Sequence, residues 1–376
     1  MLFLTKNGPW STSCLSLACA DWFRSATRVI PALKTKRILR GPLDTLLAHK
    51  EIDASFALAW ADFAMTKRAQ GFAVKGAKET QLKFGSTFMP NDHSHDDDLE
   101  HALWLTKNVF SDPRHLKVDG KPLFAIFAAE PTRYRLNFLQ VLRSTARQQL
   151  GLELYIVEFV QHTLSGEGAT RMAKGKRHPD DVDSLLLFAG GFQKYSERER
   201  LHDECHASTQ TSSILHRVEA GAKKLVSCNV IDYQRVAEAN IAATAAVWEA
   251  RANATHAFDP PVPSAMPGWD NTGRYPNGGP SLFIAKGSTP ARFGSWVSKL
   301  MRYGTQAPKL VAINAVNEWG EGCHLEPDTK YGMAYYEALA AAKQSTLLAN
   351  TQDALAATQH ALAATRAGAS TRQRLD

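Results

Sequence analysis

The chain has 376 residues, of which 44% are hydrophobic and 22% charged, a composition typical of globular proteins. This length fits one large α/β domain or two smaller ones. Lysine and arginine exceed acidic residues by 44 to 37, but the basic cluster Lys174–Arg177 is followed at once by Asp180, Asp181 and Asp183, which favours a solvated loop over a nucleic-acid surface.

The N-terminal segment carries a short apolar run, Cys14–Ala20, which resembles the core of a signal peptide only faintly. The five cysteines of the chain are odd in number and show no Cys-x-x-Cys spacing, so we predict neither a disulfide framework nor a zinc site. No apolar run approaches the roughly 18 residues of a membrane span. We therefore expect a cytoplasmic protein with no membrane span.

Short apolar runs then recur and alternate with amphipathic stretches. The runs are Phe56–Trp60, Pro122–Phe127, Leu154–Val157, Val182–Phe188, a stretch ending at Met266, and Leu310–Ala315. The amphipathic stretches are Asp97–Phe110, Arg133–Leu150, Asp232–Arg251 and Pro290–Tyr303. Uniformly apolar strands that alternate with helices predict a parallel sheet covered on both faces, as a barrel or as an open doubly wound sheet. No Gly-x-Gly-x-x-Gly motif follows an early strand, which disfavours dinucleotide binding.

The run Asp92–Asp98 contains two histidines and several aspartates, the side chains that bind metals. Acids without a fixed spacing are more typical of a solvated helix N-terminus, where the helix dipole favours them. We therefore predict no metal and no cofactor.

The segment Met266–Arg274 follows an apolar stretch and combines an aromatic ring, a carboxylate and a guanidinium. Sugar sites use such groups for stacking and for hydrogen bonds to hydroxyls. The candidate sugar contacts here are Trp269, Asp270, Asn271 and Arg274. The alternative is a tight turn in which Asp270 pairs with Arg274.

The segment Ile313–Asp328 is the richest in reactive side chains. It begins as a buried strand and breaks into polar, aromatic and glycine residues, and in a parallel barrel such loops build the active site. Glu318 and Glu321 can converge if the loop turns sharply, as Gly320 and Gly322 permit. Glycoside hydrolysis needs two such carboxylates, one as proton donor and one as nucleophile or base.

The neighbours of these glutamates are further candidate contacts: Asn317, Trp319, His324 and Glu326. Trp319 offers an apolar face to a sugar ring and, by desolvation, would raise the pKa of a neighbouring carboxyl. The alternative is structural: Glu318 and Glu321 cap the following helix or pair with arginine.

The C-terminal stretch is Ala-rich from about Ala338, and Asp353–Gln359 nearly repeats as His360–Arg366. Leucines seven residues apart predict a helix with a thin apolar stripe: Leu348, Leu355 and Leu362. A coiled-coil partner helix is one interpretation. We favour a loosely packed terminal helix, frayed after Gly368, because the other core-facing positions would be Thr or Gln.

Taken together, these motifs resemble a known family. Asn314–Gly322, followed by His324–Asp328 and Tyr331-Gly332, is similar to the last-strand motif of the WbsX-like proteins of bacterial polysaccharide biosynthesis, which are related to glycoside hydrolase family 99. Three other stretches resemble that family's seventh strand, its lead-in to the fourth strand and its third strand: Pro267–Thr272 with Arg274, Asp112–Leu123, and Phe56–Ala61. The resemblance covers roughly Lys34 to Leu339.

The resemblance implies a TIM-type (β/α)8 barrel over residues 34–340, between an atypical segment 1–33 and an Ala-rich helical tail 341–376. Family 99 enzymes are retaining α-mannosidases that act inside a chain, with two catalytic glutamates three apart in this motif. The resemblance therefore implies that Glu318 draws the proton from the sugar's own 2-hydroxyl, whose oxygen then attacks the anomeric carbon. Glu321 would protonate the leaving oxygen and later activate water.

The sequence departs from the family in two places. Where the family typically has Trp-Ala-Asn-Glu-Asn-Trp, this chain has Trp60–Met65, so of that cleft motif only Trp60 remains as a candidate contact. Residues 1–33 carry neither motif of the family's first two strands. We therefore expect a chain truncated or frame-altered relative to its family, with six family strands (the third to the eighth) and a gap or an irregular N-terminal filler. A closed eight-stranded barrel that uses residues 1–33 for two strands would refute this.

The function that these patterns predict is a carbohydrate-active, glycoside hydrolase-like enzyme of bacterial surface polysaccharide metabolism, acting on an oligosaccharide or polysaccharide. One alternative is a glycosyltransferase, or a transferase accessory, in lipopolysaccharide or O-antigen biosynthesis, although no nucleotide-sugar motif is visible. The other is a non-catalytic remnant. We expect no nucleic-acid partner, and the sequence leaves the oligomeric state open.

Overall fold

The computed structural model describes residues 2–6, 15–18, 41–61, 65–66, 87–89, 94–127, 133–160, 182–189, 230–252, 259–273, 283–303 and 310–372. Strands and helices alternate along much of this chain, and most strand pairs of the main sheet are parallel. The predicted mixed α/β fold with a parallel sheet is confirmed.

The strands, in chain order, are β1 (Leu2–Lys6), β2 (Leu15–Ala18), β3 (Phe56–Ala61), β4 (Met65–Thr66), β5 (Thr87–Met89), β6 (Lys117–Val118), β7 (Lys121–Phe127), β8 (Tyr155–Val160), β9 (Ser184–Leu187), β10 (Val230–Asp232), β11 (Ser264–Ala265), β12 (Trp269–Asp270), β13 (Ile284–Lys286), β14 (Leu310–Asn314), β15 (Asn317–Glu318) and β16 (Cys323–His324).

The α-helices are α1 (Gly41–Ala48), α2 (His95–Leu105), α3 (Arg133–Leu150), α4 (Tyr233–Ala252), α5 (Pro290–Met301) and α6 (Ala334–Arg372). A π-helical turn, Thr106–Phe110, continues α2, and a 3₁₀ turn, Trp319–Glu321, lies between β15 and β16.

The main sheet follows the order β11-β14-β1-β2-β3-β7-β8-β9, with β6 paired beside β7. From β2 to β9 every neighbouring pair on this path is parallel, and so is β11 with β14. At the two ends of the path, a parallel bridge joins Leu186 of β9 to Val262, just before β11. The Val262 N–H donates to Leu185 O at 2.7 Å, and the Leu187 N–H donates to Val262 O at 2.9 Å.

The N-terminal strands lie between β14 and β3. β2 is parallel to β3, whereas β1 is antiparallel to both β14 and β2. The edges of β14 and β3 thus gain backbone partners that they would otherwise lack. Residues 1–33 thus contribute two strands to the sheet, one of them reversed, at the place where we expected a gap or an irregular filler.

The sheet is apolar on both faces because successive strand residues point to opposite sides. One face packs against α2 and α3 through Leu58, Trp60, Phe124, Ile126 and Ile156. The other face forms a second cluster from Ala57, Ala59, Ala125, Tyr155 and Val157, which also includes Leu310 and Ala312 of β14. Residues of β3, β7, β8 and β14 therefore meet on one side of the sheet.

A third hydrophobic cluster supports the segment that follows β14. Helix α5 begins at Pro290 after the N-cap Thr289, whose side chain accepts the Arg292 N–H. It buries one apolar face: Phe293, Trp296, Val297, Leu300 and Met301. These residues pack with Val316, Cys323 and Leu325 after β14 and with Tyr335, Leu339 and Ala342 of α6.

Helix α6 begins at Ala334, within the region predicted as barrel, and its first turns belong to this third cluster. Further along, Leu348 and Leu355 are each 59% exposed. The helix continues past Gly368 to Arg372, so the predicted fraying after Gly368 is not seen. Among the described helices, none is both long and apolar enough to span a membrane.

Candidate active site

The two candidate catalytic glutamates lie on one short hairpin after β14. Asn317 pairs with His324 and Glu318 with Cys323, and the 3₁₀ turn that carries Glu321 connects the two strands. Gly322 ends that turn with φ +59°, a left-handed conformation that glycine adopts without strain. A Cβ atom at Gly322 would lie 2.9 Å from the backbone nitrogen of Asp270. The sharp turn predicted from the glycines is thus present, and it presses the hairpin against β12.

Glu318 and Glu321 are both half-buried, and both lie near Cys323. Burial raises the pKa of the Cys323 thiol well above its ordinary value, and the negative charges of Glu321 and Glu318 raise it further. Cys323 is fully buried and donates its S–H to Asn314 O at 2.5 Å. Both carboxylates thus lie near enough to Cys323 for their charges to raise its pKa.

Trp319 at the tip of the hairpin is 51% exposed, and one face of its ring is covered. Its ring stacks on the His324 ring with the centroids 3.6 Å apart and the planes inclined by 17°. Its Nε1–H donates to Glu326 Oε2 at 2.5 Å. Such a fixed indole can present its exposed surface to an apolar sugar face.

His324 is in turn supported by Asp328, with 3.4 Å between His324 Nε2 and Asp328 Oδ2. Asp328 Oδ1 accepts the backbone N–H groups of Lys330 at 2.8 Å and Tyr331 at 2.5 Å. Burial raises the pKa of Asp328, but these backbone donors and His324 outweigh it, so the pKa lies below its ordinary value. An ionised Asp328 thus anchors the stack of His324 and Trp319.

Asp270, Asn271 and Trp269 have different environments on and beside β12. Asp270 is exposed, contacts Gly322 through its backbone, and accepts the Thr272 N–H and hydroxyl at 3.0 and 2.7 Å. Asn271 is buried, and its Oδ1 accepts the Phe283 N–H at 2.8 Å, which ties β12 to the start of β13. Trp269 is only 5% exposed, so the structure does not present it as an open stacking platform. Arg274 lies outside the described residues.

Trp60 lies in the first cluster, apart from the hairpin residues. Its ring is 4.3 Å from that of Phe138 and 6.2 Å from that of His101, centroid to centroid. The alternation of β3 turns Trp60 toward α2 and α3 together with Leu58. The structure therefore brings Asp270, Asn317, His324 and Glu326 to the two glutamates, and it does not bring Trp60.

A cavity of about 240 Å³ lies beside the hairpin. Its walls include Asp270, Ser288, His324, Asp328, Tyr331 and Tyr335. Of these, Ser288 and Tyr335 carried no signal in the sequence, whereas Asp328 and Tyr331 lay inside the motif that followed the paired glutamates. Neither Glu318 nor Glu321 is among the described residues that line this cavity.

The predicted helix N-terminus at Asp92–Asp98 is seen where the structure describes it. Helix α2 starts at His95, with Ser94 as its N-cap and Asp96, Asp97 and Asp98 in the first turn. Asp97 and Asp98 are buried, although we expected solvated acids. Within the described ranges, no group of three or more His, Cys, Asp or Glu side chains could hold a metal ion.

The fold and the site define a mixed α/β protein that presents two carboxylates and an aromatic ring on a hairpin beyond a strand of its main sheet, as carbohydrate-active proteins do. Residues 33–339 match the model of the family described as Glycosyltransferase WbsX. The chain belongs to this family.

Two curated relatives, both the uncharacterized protein WxcX of Xanthomonas campestris pv. campestris from two strains, are 24% identical to the chain over 315 residues. The match covers 82% of this chain but only 37% of either relative, so the chain spans little more than a third of their length.

Two solved structures are similar at low identity. One is a glycoside hydrolase-like protein, with 15% identity, a TM-score of 0.45, and coverage of 80% of this chain and 74% of that chain. The other is the GH99 endo-alpha-mannosidase from Bacteroides thetaiotaomicron, with 12% identity, a TM-score of 0.41, and coverage of 84% of this chain and 72% of that chain.

Proposed function

We propose that the chain is an enzyme that hydrolyses glycosidic bonds inside a bacterial surface polysaccharide, with Glu318 and Glu321 as its catalytic pair. The observation that carries this proposal is the hairpin, which holds both glutamates at one turn. Both lie near enough to Cys323 for their charges to raise its pKa. The family supports the polysaccharide context, since its model covers residues 33–339.

The roles that we assign follow the resemblance of Asn314–Gly322 to the family 99 motif. Glu318 takes the proton of the sugar's 2-hydroxyl, O2 attacks the anomeric carbon, and the bond to the leaving oxygen breaks as Glu321 protonates it. Glu321 then takes a proton from water, which attacks the anomeric carbon and opens the anhydro-sugar, while O2 regains its proton from Glu318. The anomeric configuration is retained, and Trp319 supports a ring beside the reacting bond.

We further propose that the main sheet wraps into a barrel of the TIM type. The bridge between Leu186 and Val262 links the two ends of the strand path, and Leu310 and Ala312 share a cluster with Ala57 and Ala59. The domain would span residues 34–340, followed by the tail 341–376, and the segment 1–33 would contribute β1 and β2 between β14 and β3. A barrel that closes in this way is the outcome that would refute the truncation expected from the sequence. A barrel places the hairpin after β14 at the C-terminal ends of the strands, where such folds build their sites. The cytoplasmic setting, proposed from the cysteine pattern, would be tested by fractionation of cells that express a tagged chain.

Cleavage of purified surface polysaccharide tests the proposed function. We expect the wild-type chain to generate new reducing ends and shorter oligosaccharides without added sugar nucleotide. Absence of cleavage by a cooperatively folded wild-type chain, on polysaccharide from the organism that encodes it, would overturn the proposal.

The second candidate is a glycosyltransferase, which the description of the matched family favours. A transferase would incorporate labelled sugar from a sugar nucleotide into the polysaccharide and would leave the number of reducing ends unchanged. The same preparation, assayed with and without sugar nucleotides, separates the two reactions.

A further inference from the structure

The cavity beside the hairpin has two walls that differ in origin. One wall comes from β12, β13 and the residues next to them, including Asp270, Ile284 and Ser288. The other wall comes from the segment between the hairpin and the first turn of α6, including His324 and Tyr331. The cavity is therefore adjacent to the paired carboxylates but separate from them.

Hydrogen bonds fix the walls in place. The Ser288 hydroxyl bonds to the Tyr335 hydroxyl at 2.6 Å and to the Pro267 carbonyl oxygen. The Tyr331 hydroxyl donates to Ser288 O at 3.3 Å, so the two walls are cross-linked. Burial raises the pKa of Tyr335 to about 12, so its hydroxyl stays protonated at neutral pH. The site is thus preformed in the folded chain.

The walls also carry polar atoms that are buried but lack a hydrogen-bond partner among the described residues. They are the indole Nε1 of Trp269, a residue that is only 5% exposed, and Nδ1 of His324. Buried polar groups in folded proteins are nearly always hydrogen-bonded, to protein, to water or to a ligand. Hydroxyl groups of a ligand are suitable partners for such atoms, because a hydroxyl both donates and accepts.

The remaining chemistry of the cavity is mixed. The Lys330 ammonium lies 4.7 Å from the centre of the Tyr331 ring, and the Tyr331 and Tyr335 rings meet edge to face at 5.4 Å. Asp270 adds an exposed carboxylate at the rim. Aromatic faces combined with a few fixed polar groups bind small ligands that are apolar on one side and polar around the edge. A pyranose ring has this character.

We propose that this cavity is a subsite for one pyranose unit of the polysaccharide, next to the unit whose bond is cut at Glu318 and Glu321. The volume of about 240 Å³ lies below the usual range for pockets that hold drug-sized ligands, which favours a single ring over an extended oligosaccharide. His324 lines the cavity and stacks on Trp319, so the surface from the subsite to the hairpin is continuous. This inference rests on the proposed function.

Saturation-transfer NMR with methyl glycosides tests the subsite without any catalytic step. The probes are methyl α-mannoside, α-glucoside, α-galactoside and α-rhamnoside, each added to the wild-type chain and to the variants Tyr331→Ala, Asp270→Asn and Lys330→Ala. Matched controls remove the same type of group outside the cavity: Asp119→Asn in an exposed turn and Lys299→Ala on α5. Thermal melts verify that each variant folds.

We expect at least one glycoside to bind the wild-type chain, and Tyr331→Ala and Asp270→Asn to weaken its binding roughly tenfold or more, as the loss of a ring contact or a charged hydrogen bond predicts. The two controls, Asp119→Asn and Lys299→Ala, should bind it as the wild-type chain does. If no glycoside binds, or if folded cavity variants bind it unchanged, the subsite is overturned.

The two proposals fail separately. If a glycoside binds in the cavity but the polysaccharide is not cut, the hydrolase proposal fails and the subsite stands. If the polysaccharide is cut at the same rate by the wild-type chain and by all three cavity variants, the hydrolase stands and the subsite fails.

Discussion

Gly322 sets the shape of the hairpin at the scale of one residue. It combines a left-handed backbone with a close approach to the backbone of Asp270 in β12. Any side chain at this position meets both the conformational cost of φ +59° and a contact of 2.9 Å with the Asp270 backbone. The hairpin that carries Glu318 and Glu321 can therefore lie this close to Asp270 only because Gly322 has no Cβ atom.

We predict that Gly322→Ala lowers the free energy of unfolding by about 2–4 kcal/mol and lowers activity with it, because strain and close approach add together. Urea denaturation measures the first effect. Gly332→Ala is the matched control, since its φ is +52° but no atom lies within 4 Å of the added Cβ. Its cost should be about 1 kcal/mol, that of the backbone conformation alone. Equal losses in the two variants would contradict the role of the close contact.

A second prediction at this scale concerns pH and Asp328. The folded-state pKa of Asp328 is lowered, so its ionised form stabilises the fold above the unfolded-state pKa. That contribution is lost as the pH falls through the folded-state pKa. The difference in unfolding free energy between the wild-type chain and Asp328→Asn should therefore be full at about pH 5 and shrink steadily below about pH 4.

Denaturant titrations at a series of acidic pH values measure this difference. Asp119→Asn controls for the loss of one surface carboxylate. A difference that grows as the pH falls would contradict the assigned direction of the pKa shift.

At the scale of elements, Arg114 joins α1 to the lead-in of β7. Its guanidinium donates to the backbone oxygens of Leu46, His49 and Ile52 and binds the carboxylate of Asp112, whose side chain is fully buried. The hydrogen bonds from Arg114 are the largest of the influences that hold the pKa of Asp112 well below its usual value. One planar side chain thus hydrogen-bonds the carbonyl groups at and after the C-terminal end of α1 and also neutralises the buried carboxylate of Asp112.

We predict that Arg114→Ala costs about 3–5 kcal/mol, because it leaves Asp112 buried with Lys50 as its remaining cationic partner. Arg114→Lys should recover little of this loss, because lysine lacks the planar fork. Arg147→Ala is the control, since Arg147 and Glu153 form a pair that is exposed on both sides and worth about 0–1 kcal/mol. Chemical denaturation measures the free energy of unfolding of the three variants. If Arg114→Ala loses as little stability as Arg147→Ala, the proposed role of Arg114 is contradicted.

Helix α6 has two parts with different roles. Leu339 and Ala342 are buried against α5, whereas Leu348 and Leu355 are exposed. We predict that Leu339→Ala costs about 2–5 kcal/mol, as buried leucines do. Deletion of residues 351–376 should leave the free energy of unfolding within about 0.5 kcal/mol of the wild-type value. If the deletion destabilises the chain in a way that depends on protein concentration, the coiled-coil interpretation of the leucine stripe replaces ours.

At the scale of the whole molecule, local patterns predicted the elements better than their assembly. The apolar run Pro122–Phe127 and the amphipathic stretch Arg133–Leu150 correspond closely to β7 and α3, because strand and helix periodicities are properties of the local sequence. The placement of β1 between β14 and β2, in reversed direction, depends on pairing between residues far apart in the chain. No local pattern specifies such pairing.

The candidate site divides in the same way. Glu318 and Glu321 could be predicted because the residues that position them are adjacent in sequence. Trp60 was predicted to contact sugar, but its neighbours Phe138 and His101 come from other elements and place it in the core. Ser288 and Tyr335, which close the cavity, meet only in the folded chain.

The central claim is that Glu318 and Glu321 cut glycosidic bonds, and the most direct measurement is the rate of polysaccharide cleavage by Glu318→Gln and Glu321→Gln. Each change removes one ionisable group at nearly constant shape, so we predict that each lowers kcat at least about 100-fold, as the loss of a general acid or base does. Glu337→Gln, at an exposed position in the first turn of α6, should match the wild-type rate. Full activity in Glu318→Gln would contradict the account, because a pair that works with one carboxylate missing is not the catalytic pair.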